Sequence, residues 1–231
     1  MKFSVFTLFP QLVLPYFQGS ILKRALEKNL FELEVLNLRD FSTNKHKKVD
    51  YTLIGGGAGQ ILDPEMIENA LNSIKTPKHT IFLNAVGKPF KQVDAFRLAQ
   101  KEHVVLVCGR YEGFDERSIE LNADEVFSLG DFILTGGELG ALCLIDSIAR
   151  QIQGVLGNAQ SLENESFEND FLEAPNFANA PFKSKEINKI PAPLEYSKGN
   201  HAKMAQLKFD LSKLRTQFHR LDLFNRHKSQ R

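Results

Sequence analysis

The sequence predicts an α/β domain with a largely parallel sheet, followed by a small, mostly helical, basic region. Three observations lead there. Short apolar runs alternate with amphipathic segments through residue 152, the pattern of strand–helix units. Several runs end in turns of small residues, as strands do beside a ligand crevice. Beyond residue 157 the composition shifts to polar and proline-rich, and then to basic. Apolar residues make up 42% of the 231 positions, enough for a substantial core.

The first strand covers residues 3–8, although the apolar start, MKFSVFTLFPQLVLPYF, could pass for a signal peptide. Pro10 and Pro15 interrupt it and no small-residue cleavage site follows, so a buried strand is the better reading. Residues 15–29 carry Phe17, Ile21, Leu22, Ala25 and Leu26 at helical spacing. Residues 31–38 alternate as a second strand. A basic loop, residues 39–50, leads into Ile54-Gly55-Gly56-Gly57-Ala58-Gly59-Gln60. Four glycines in five residues form no regular element at low cost. They read as a loop whose backbone approaches a ligand, and they match neither a Walker nor a dinucleotide motif.

Asp63-Pro64-Glu65 opens a helix to about residue 74, with Pro64 suited to its first turn. Residues 80–83 form a short buried strand, with Asn84-Ala85-Val86-Gly87 as its turn, and a helix spans 91–101. Val104-Val105-Leu106-Val107 is a fully buried strand that breaks at Cys108-Gly109 into the charged turn Arg110–Arg117. A helix over 118–123 and a strand over 124–128 follow. The third small-residue turn, 129–139, leads into a helix over 139–152 with Arg150 near its C-terminal end. In a parallel sheet these strand ends lie on one side, so the three turns can form one pocket.

Cys108 and Cys143 form neither a disulfide framework nor a metal pattern, which points to a reducing, cytoplasmic setting. No apolar run approaches the ~20 residues of a membrane span. Residues 183–231 carry 12 Lys/Arg against 4 Asp/Glu, whereas the rest of the chain carries 17 against 24. A basic tail on an acidic body suits a polyanion partner, nucleic acid above all. Helices are expected from His201 to about Gln206 or beyond, and again over 211–224.

The set Cys108-Gly109-Arg110-Tyr111-Glu112-Gly113-x-Asp115-Glu116-Arg117, Gly130-Asp131-x-x-Leu134-x-Gly136-Gly137-Glu138-Leu139 and Gly154-Val155-Leu156-Gly157 closely resembles the TrmD family of bacterial tRNA (guanine-37-N1)-methyltransferases. Arg39-Asp40-Phe41, His46, Asp50, Gly55–Gly57 and Gly199-Asn200-His201 extend the resemblance over nearly the whole chain. It implies a SPOUT-type parallel-sheet domain (1–157) with a deep trefoil knot at about 82–140, a linker (158–169) and a basic tRNA-binding domain (170–231). It also implies a homodimer acting on the tRNA anticodon stem-loop, with no membrane partner.

S-adenosylmethionine is the implied methyl donor. Its loops correspond to Phe82, Leu83, Asn84 and Ala85; to Gly109, Tyr111 and Gly113; and to Leu129, Gly130, Phe132, Leu134, Gly136 and Gly137. Guanine N1 carries a proton near neutral pH, so methylation needs a general base, and charge building on O6 needs a cation or donor. The resemblance assigns the base to Glu165, where the family has aspartate before Ser-Phe, and the O6 partner to Arg150. Glu112 lies near donor and base. Arg110, Ser166, His46, Asp50, Lys198, His201 and Lys203 are the RNA-side candidates.

Any magnesium ion would be held by carboxylates such as Glu112 or Glu165; the sequence has no dedicated metal-ligand cluster. Asn84-Ala85 replaces a family Ser-Pro pair, and Ile54, Ala58 and Gln60 replace residues around the triple glycine. Two other readings are a SPOUT enzyme acting on another RNA nucleotide and an RNA-binding relative without catalysis.

Overall fold

A computed structural model describes residues 1–162, 165–197 and 199–229. The chain divides into two compact units, Met1–Ala159 and Gln160–Arg231.

The first unit is built on a five-stranded parallel sheet. Its strands are β1 (Lys2–Thr7), β2 (Glu32–Asn37), β5 (His79–Pro89), β6 (His103–Cys108) and β7 (Glu125–Ser128), in the order β2-β1-β6-β5-β7. Two further strands, β3 (Asp50–Thr52) and β4 (Gln60–Leu62), pair antiparallel as a hairpin. Strand β6 lies at the centre and all six of its residues are buried. Its side chains alternate: Val104, Leu106 and Cys108 enter one apolar cluster, and Val105 and Val107 the other. This two-sided burial is why the strand reads as an unbroken apolar run.

The first cluster packs α1 (Ser20–Glu27), α3 (Gln92–Leu98) and α5 (Glu138–Ala149) on one face. The second packs α2 (Pro64–Ser73) and α4 (Glu116–Asn122) on the other. Helix α2 starts as its sequence requires. The Asp63 carboxylate accepts from the N–H groups of Glu65 at 3.0 Å and Met66 at 3.4 Å, with Pro64 in the first turn.

Several elements differ from the sequence reading. The helix expected over 15–29 is a 3-10 segment, Leu14–Gln18, then α1; extended backbone at Gly19 separates them. The hairpin β3–β4 was not anticipated, because three-residue strands around a glycine run carry too little periodicity. Strand β5 continues past residue 83. Leu83 and Lys88 both pair with Phe127, so Asn84–Gly87 is looped out between two stretches of one strand. The second stretch is held by Lys88, whose ammonium reaches Glu125 at 2.8 Å and Asp94 at 3.2 Å.

The second unit contains α6 (Lys185–Asn188), α7 (His201–His219) and α8 (Leu221–Ser229). Helix α7 is continuous where two shorter pieces were expected. It is capped by Asn200, whose side chain accepts from the Lys203 N–H at 3.1 Å.

Candidate functional site

The end of the first stretch of β5 and the C-terminal ends of β6 and β7 open onto one cavity. Leu83, Asn84 and Ala85 line it after the first stretch of β5, Gly109 to Gly113 after β6, and Leu129, Gly130, Phe132, Leu134, Gly136 and Gly137 after β7. The structure thus brings together every residue expected in the donor loops except one. Phe82 is fully buried in the other apolar cluster, edge-on to Phe114 at 4.9 Å between ring centres. The period of two makes this unavoidable: if Leu83 faces the cavity side, Phe82 faces away.

The walls are held by close backbone approach. A β-carbon on Gly137 would come within 2.8 Å of the Cys108 Cα and 2.9 Å of the Gly109 nitrogen. The Gly137 N–H donates to the Gly109 carbonyl at 2.9 Å, tying the second and third turns together. Burial pushes the Cys108 thiol well above its ordinary range, so this cysteine is a neutral core group.

A buried polar knot fastens the same two turns to the sheet. Glu138, at the start of α5 and 3% exposed, accepts from the Thr7 hydroxyl at 2.6 Å and from Arg110 Nε at 3.1 Å, and its second oxygen meets Arg110 Nη2 at 2.9 Å. Arg110 also donates to the Thr135 carbonyl at 3.1 Å and lies over the Phe9 ring at 4.6 Å. Arg110, expected on the RNA side, is thus engaged in fixing the turn. Glu138 and Thr7 were given no role from sequence. Glu138 belongs to a recognisable motif, but its partner Thr7 is 131 positions away and nothing local signals it.

The glycine-rich hairpin meets the middle turn. The Glu112 N–H donates to Gln60 O at 2.9 Å, and the Leu62 N–H to Gly113 O at 3.2 Å. Gly59, at φ +109°, leaves the space that the Glu112 side chain occupies; a β-carbon there would collide with it. Tyr111 has φ +59°, uncommon for a residue with a side chain. Burial raises the Tyr111 phenol pKa, and the charge and hydrogen bond of Asp50 raise it further. Asp50 and Glu112 therefore flank the same turn. His46 sits in an exposed turn, its N–H on the Asn44 side chain at 2.8 Å.

Arg150 closes α5, its N–H on Asp146 O at 3.2 Å. In the second unit, Glu165 lines a groove with Phe171, Glu173, Lys208, Phe209 and His227. The Ser166 hydroxyl accepts from the Glu173 N–H at 3.0 Å. His201 and Lys203 are exposed in the first turn of α7. Lys198 lies outside the described residues. Among the described residues, no group of three or more His, Cys, Asp or Glu is placed to hold a metal ion, and no helix is long and apolar enough to cross a membrane.

The cradle suits a small ligand that has both apolar and polar parts. Its lining combines small residues, the apolar side chains Leu83, Leu129, Leu134 and Phe132, and the polar side chains Asn84 and Glu112.

Residues 1–226 match a family model described as tRNA (guanine-1)-methyltransferase TrmD. A protein of Helicobacter pylori strain J99, named tRNA (guanine-N(1)-)-methyltransferase, is 86% identical over 229 residues, covering 99% of this chain and 100% of that one. A protein of the same name from Wolinella succinogenes is 54% identical over 234 residues, covering 100% and 97%. Another, from Campylobacter jejuni strain RM1221, is 54% identical over 230 residues, covering 98% of each.

Proposed function

The chain belongs to the tRNA (guanine-1)-methyltransferase TrmD family, and from that premise we propose that it methylates N1 of guanine 37 in the tRNA anticodon loop with S-adenosylmethionine as donor. The observation that carries this reading is the convergence of three strand-end turns on one cradle of small residues and backbone amides. When bound there, the donor supplies an electrophilic sulfonium methyl. The chain's own task is to hold that methyl in line with guanine N1 and to manage one proton and one developing charge.

Guanine N1 becomes nucleophilic only as its proton leaves. Glu165 is the base: its carboxylate, on an arm one methylene longer than the family's aspartate, takes the N1 proton. Arg150 donates to guanine O6, where the negative charge of the deprotonated ring collects. Glu112, set between the cradle and the glycine-rich hairpin, steers the target base; the hairpin, with Asp50 and His46, flanks it on the RNA side. Ser166 orients the Glu165 turn through Glu173. His201, Lys203 and the neighbouring basic residues hold tRNA phosphates, fixing register rather than reading sequence.

The protein works as a homodimer with a deep trefoil knot within residues 82–140, and in the cytoplasm, where tRNA is processed. The motif set shared with the family supports these assignments.

Glu165→Gln tests the mechanism. It should cut methyl transfer by about 100-fold or more, the loss of a general base, while the donor dissociation constant from calorimetry stays within a factor of about two of wild type. Wild-type turnover in this variant would remove Glu165 from the reaction.

A further inference from the structure

The segment that carries Glu165 has unusual backbone. Phe167 (φ +78°), Asn169 (φ +52°) and Asp170 (φ +61°) are all left-handed, three non-glycine residues within four positions. Asn and Asp tolerate this conformation, whereas Phe adopts it at a cost. Such a turn persists only when its surroundings over-determine it.

The surroundings are α7 and α8. Asp170 pairs with Arg226 of α8 at 3.1 Å, with the aspartate side chain 19% exposed. Next in the chain, Phe171 is buried and packs on His227 at 4.4 Å and edge-on to Phe209 at 5.8 Å. Leu172 is clipped on both backbone groups by one helix face. Its N–H donates to the Thr216 hydroxyl at 2.8 Å, and its carbonyl accepts from the Ser212 hydroxyl at 2.6 Å.

The turn is then closed on itself. The Phe167 N–H donates to Phe171 O at 2.6 Å, Glu168 N–H to Glu165 O at 3.2 Å, and Glu173 N–H to the Ser166 hydroxyl at 3.0 Å. A chain of direct bonds therefore links the helices to the backbone of Glu165.

We infer that the Asp170–Arg226 pair is a clasp that positions Glu165, so that the helix pair bearing the basic tRNA-contact residues also aims the general base. This rests on the assignment of Glu165 as base. Arg226 and Asp170 touch neither donor nor guanine in this account; they are positioning residues. The arrangement couples two events, because a tRNA seated on α7 and α8 arrives with the base already mounted on the same surface. Removing the Arg226 charge leaves Asp170 at a left-handed position without its partner, and the turn can relax toward ordinary backbone, moving the Glu165 carboxylate.

Single-turnover methyl transfer by the full-length protein, at saturating donor and tRNA transcript, tests this with Arg226→Met, Arg226→Lys, Asp170→Asn and the Met/Asn double variant. Misplacement of a catalytic group by about 1 Å costs roughly 10- to 100-fold in rate. Arg226→Met and Asp170→Asn should each slow the chemical step about tenfold, the double variant should be no slower than either, and Arg226→Lys should recover most of the rate. Donor and tRNA dissociation constants should stay within about twofold of wild type, which separates aiming from simple loss of fold or of a phosphate contact. A wild-type rate in Arg226→Met overturns the clasp, as does a loss that appears wholly as weaker tRNA binding. Glu165→Gln, run alongside, separates the two claims: full activity there overturns the base assignment itself, and inactivity there with a normal Arg226→Met overturns the clasp alone.

Discussion

Replacing Glu138 by alanine should both destabilise the first unit and loosen the donor cradle. The carboxylate is almost fully buried and receives the Thr7 hydroxyl and two nitrogens of Arg110. Truncation leaves a buried hydroxyl without its acceptor and a guanidinium without its counter-charge. Breaking a buried pair from one side costs about 3–5 kcal/mol. Arg110 keeps the Thr135 carbonyl and the Phe9 ring, and its side chain is 17% exposed, so the lower end applies. About 3 kcal/mol in a unit of this size lowers the melting temperature by roughly 6–12 °C. Arg110 also holds the carbonyl of Thr135, a cavity-lining residue, so donor affinity should fall about tenfold as that wall loosens. Differential scanning calorimetry and isothermal titration with S-adenosylmethionine measure the two effects. A melting shift under about 2 °C, with donor affinity intact, would refute the reasoning that this pair organises the site.

Gly137→Ala places a β-carbon against the Cys108 and Gly109 backbone; it should cost about 1–3 kcal/mol by overpacking and weaken donor binding, and a variant that binds donor normally would show that the turns can spread. His103, buried between the Ser4 hydroxyl at 2.9 Å and Thr76 at 3.3 Å, has its pKa lowered by burial first and then by Lys2. With the folded value below the unfolded one, the unfolded chain takes up a proton first, so stability should fall as pH drops from about 7 toward 5, and His103→Gln should flatten that slope; parallel urea midpoints for both proteins across this range would count against it. Lys203→Ala should reduce the slope of log tRNA affinity against log salt by about 1 if Lys203 meets a phosphate, and an unchanged slope would remove it from the interface.

The parallel sheet was legible because its central strands obey local rules. Val104–Val107 is buried on both faces and reads as such without any partner being known. The three turns were legible for a related reason: small residues immediately after an apolar run carry their own signal. The second stretch of β5 was not, because it depends on Leu83 and Lys88 sharing Phe127 as a partner, a pairing that no window of sequence contains. The same holds for the Glu138 knot, where Thr7 at the end of β1 and Arg110 in the turn after β6 arrive from positions distant in sequence. Phe82 shows the opposite failure. The family resemblance placed it in the donor loop with Leu83, although the alternation of a strand sends neighbours to opposite faces. Helix α7 was read as two pieces, one from His201 to about Gln206 or beyond and one from Leu211, yet it runs unbroken over His201–His219, with Ser212 and Thr216 binding the Leu172 backbone. The left-handed turn at 167–170 could not be foreseen, since Phe167 is a poor candidate for positive φ until its contacts are known.

The most direct test of the central claim is transfer of a labelled methyl group from S-adenosylmethionine to an in vitro tRNA transcript, with the product nucleotide mapped. The account predicts N1-methylguanosine at position 37 and no incorporation when guanine 37 is replaced by adenine. Label at another nucleotide, or donor binding with no transfer to any guanine-37 transcript, would contradict it.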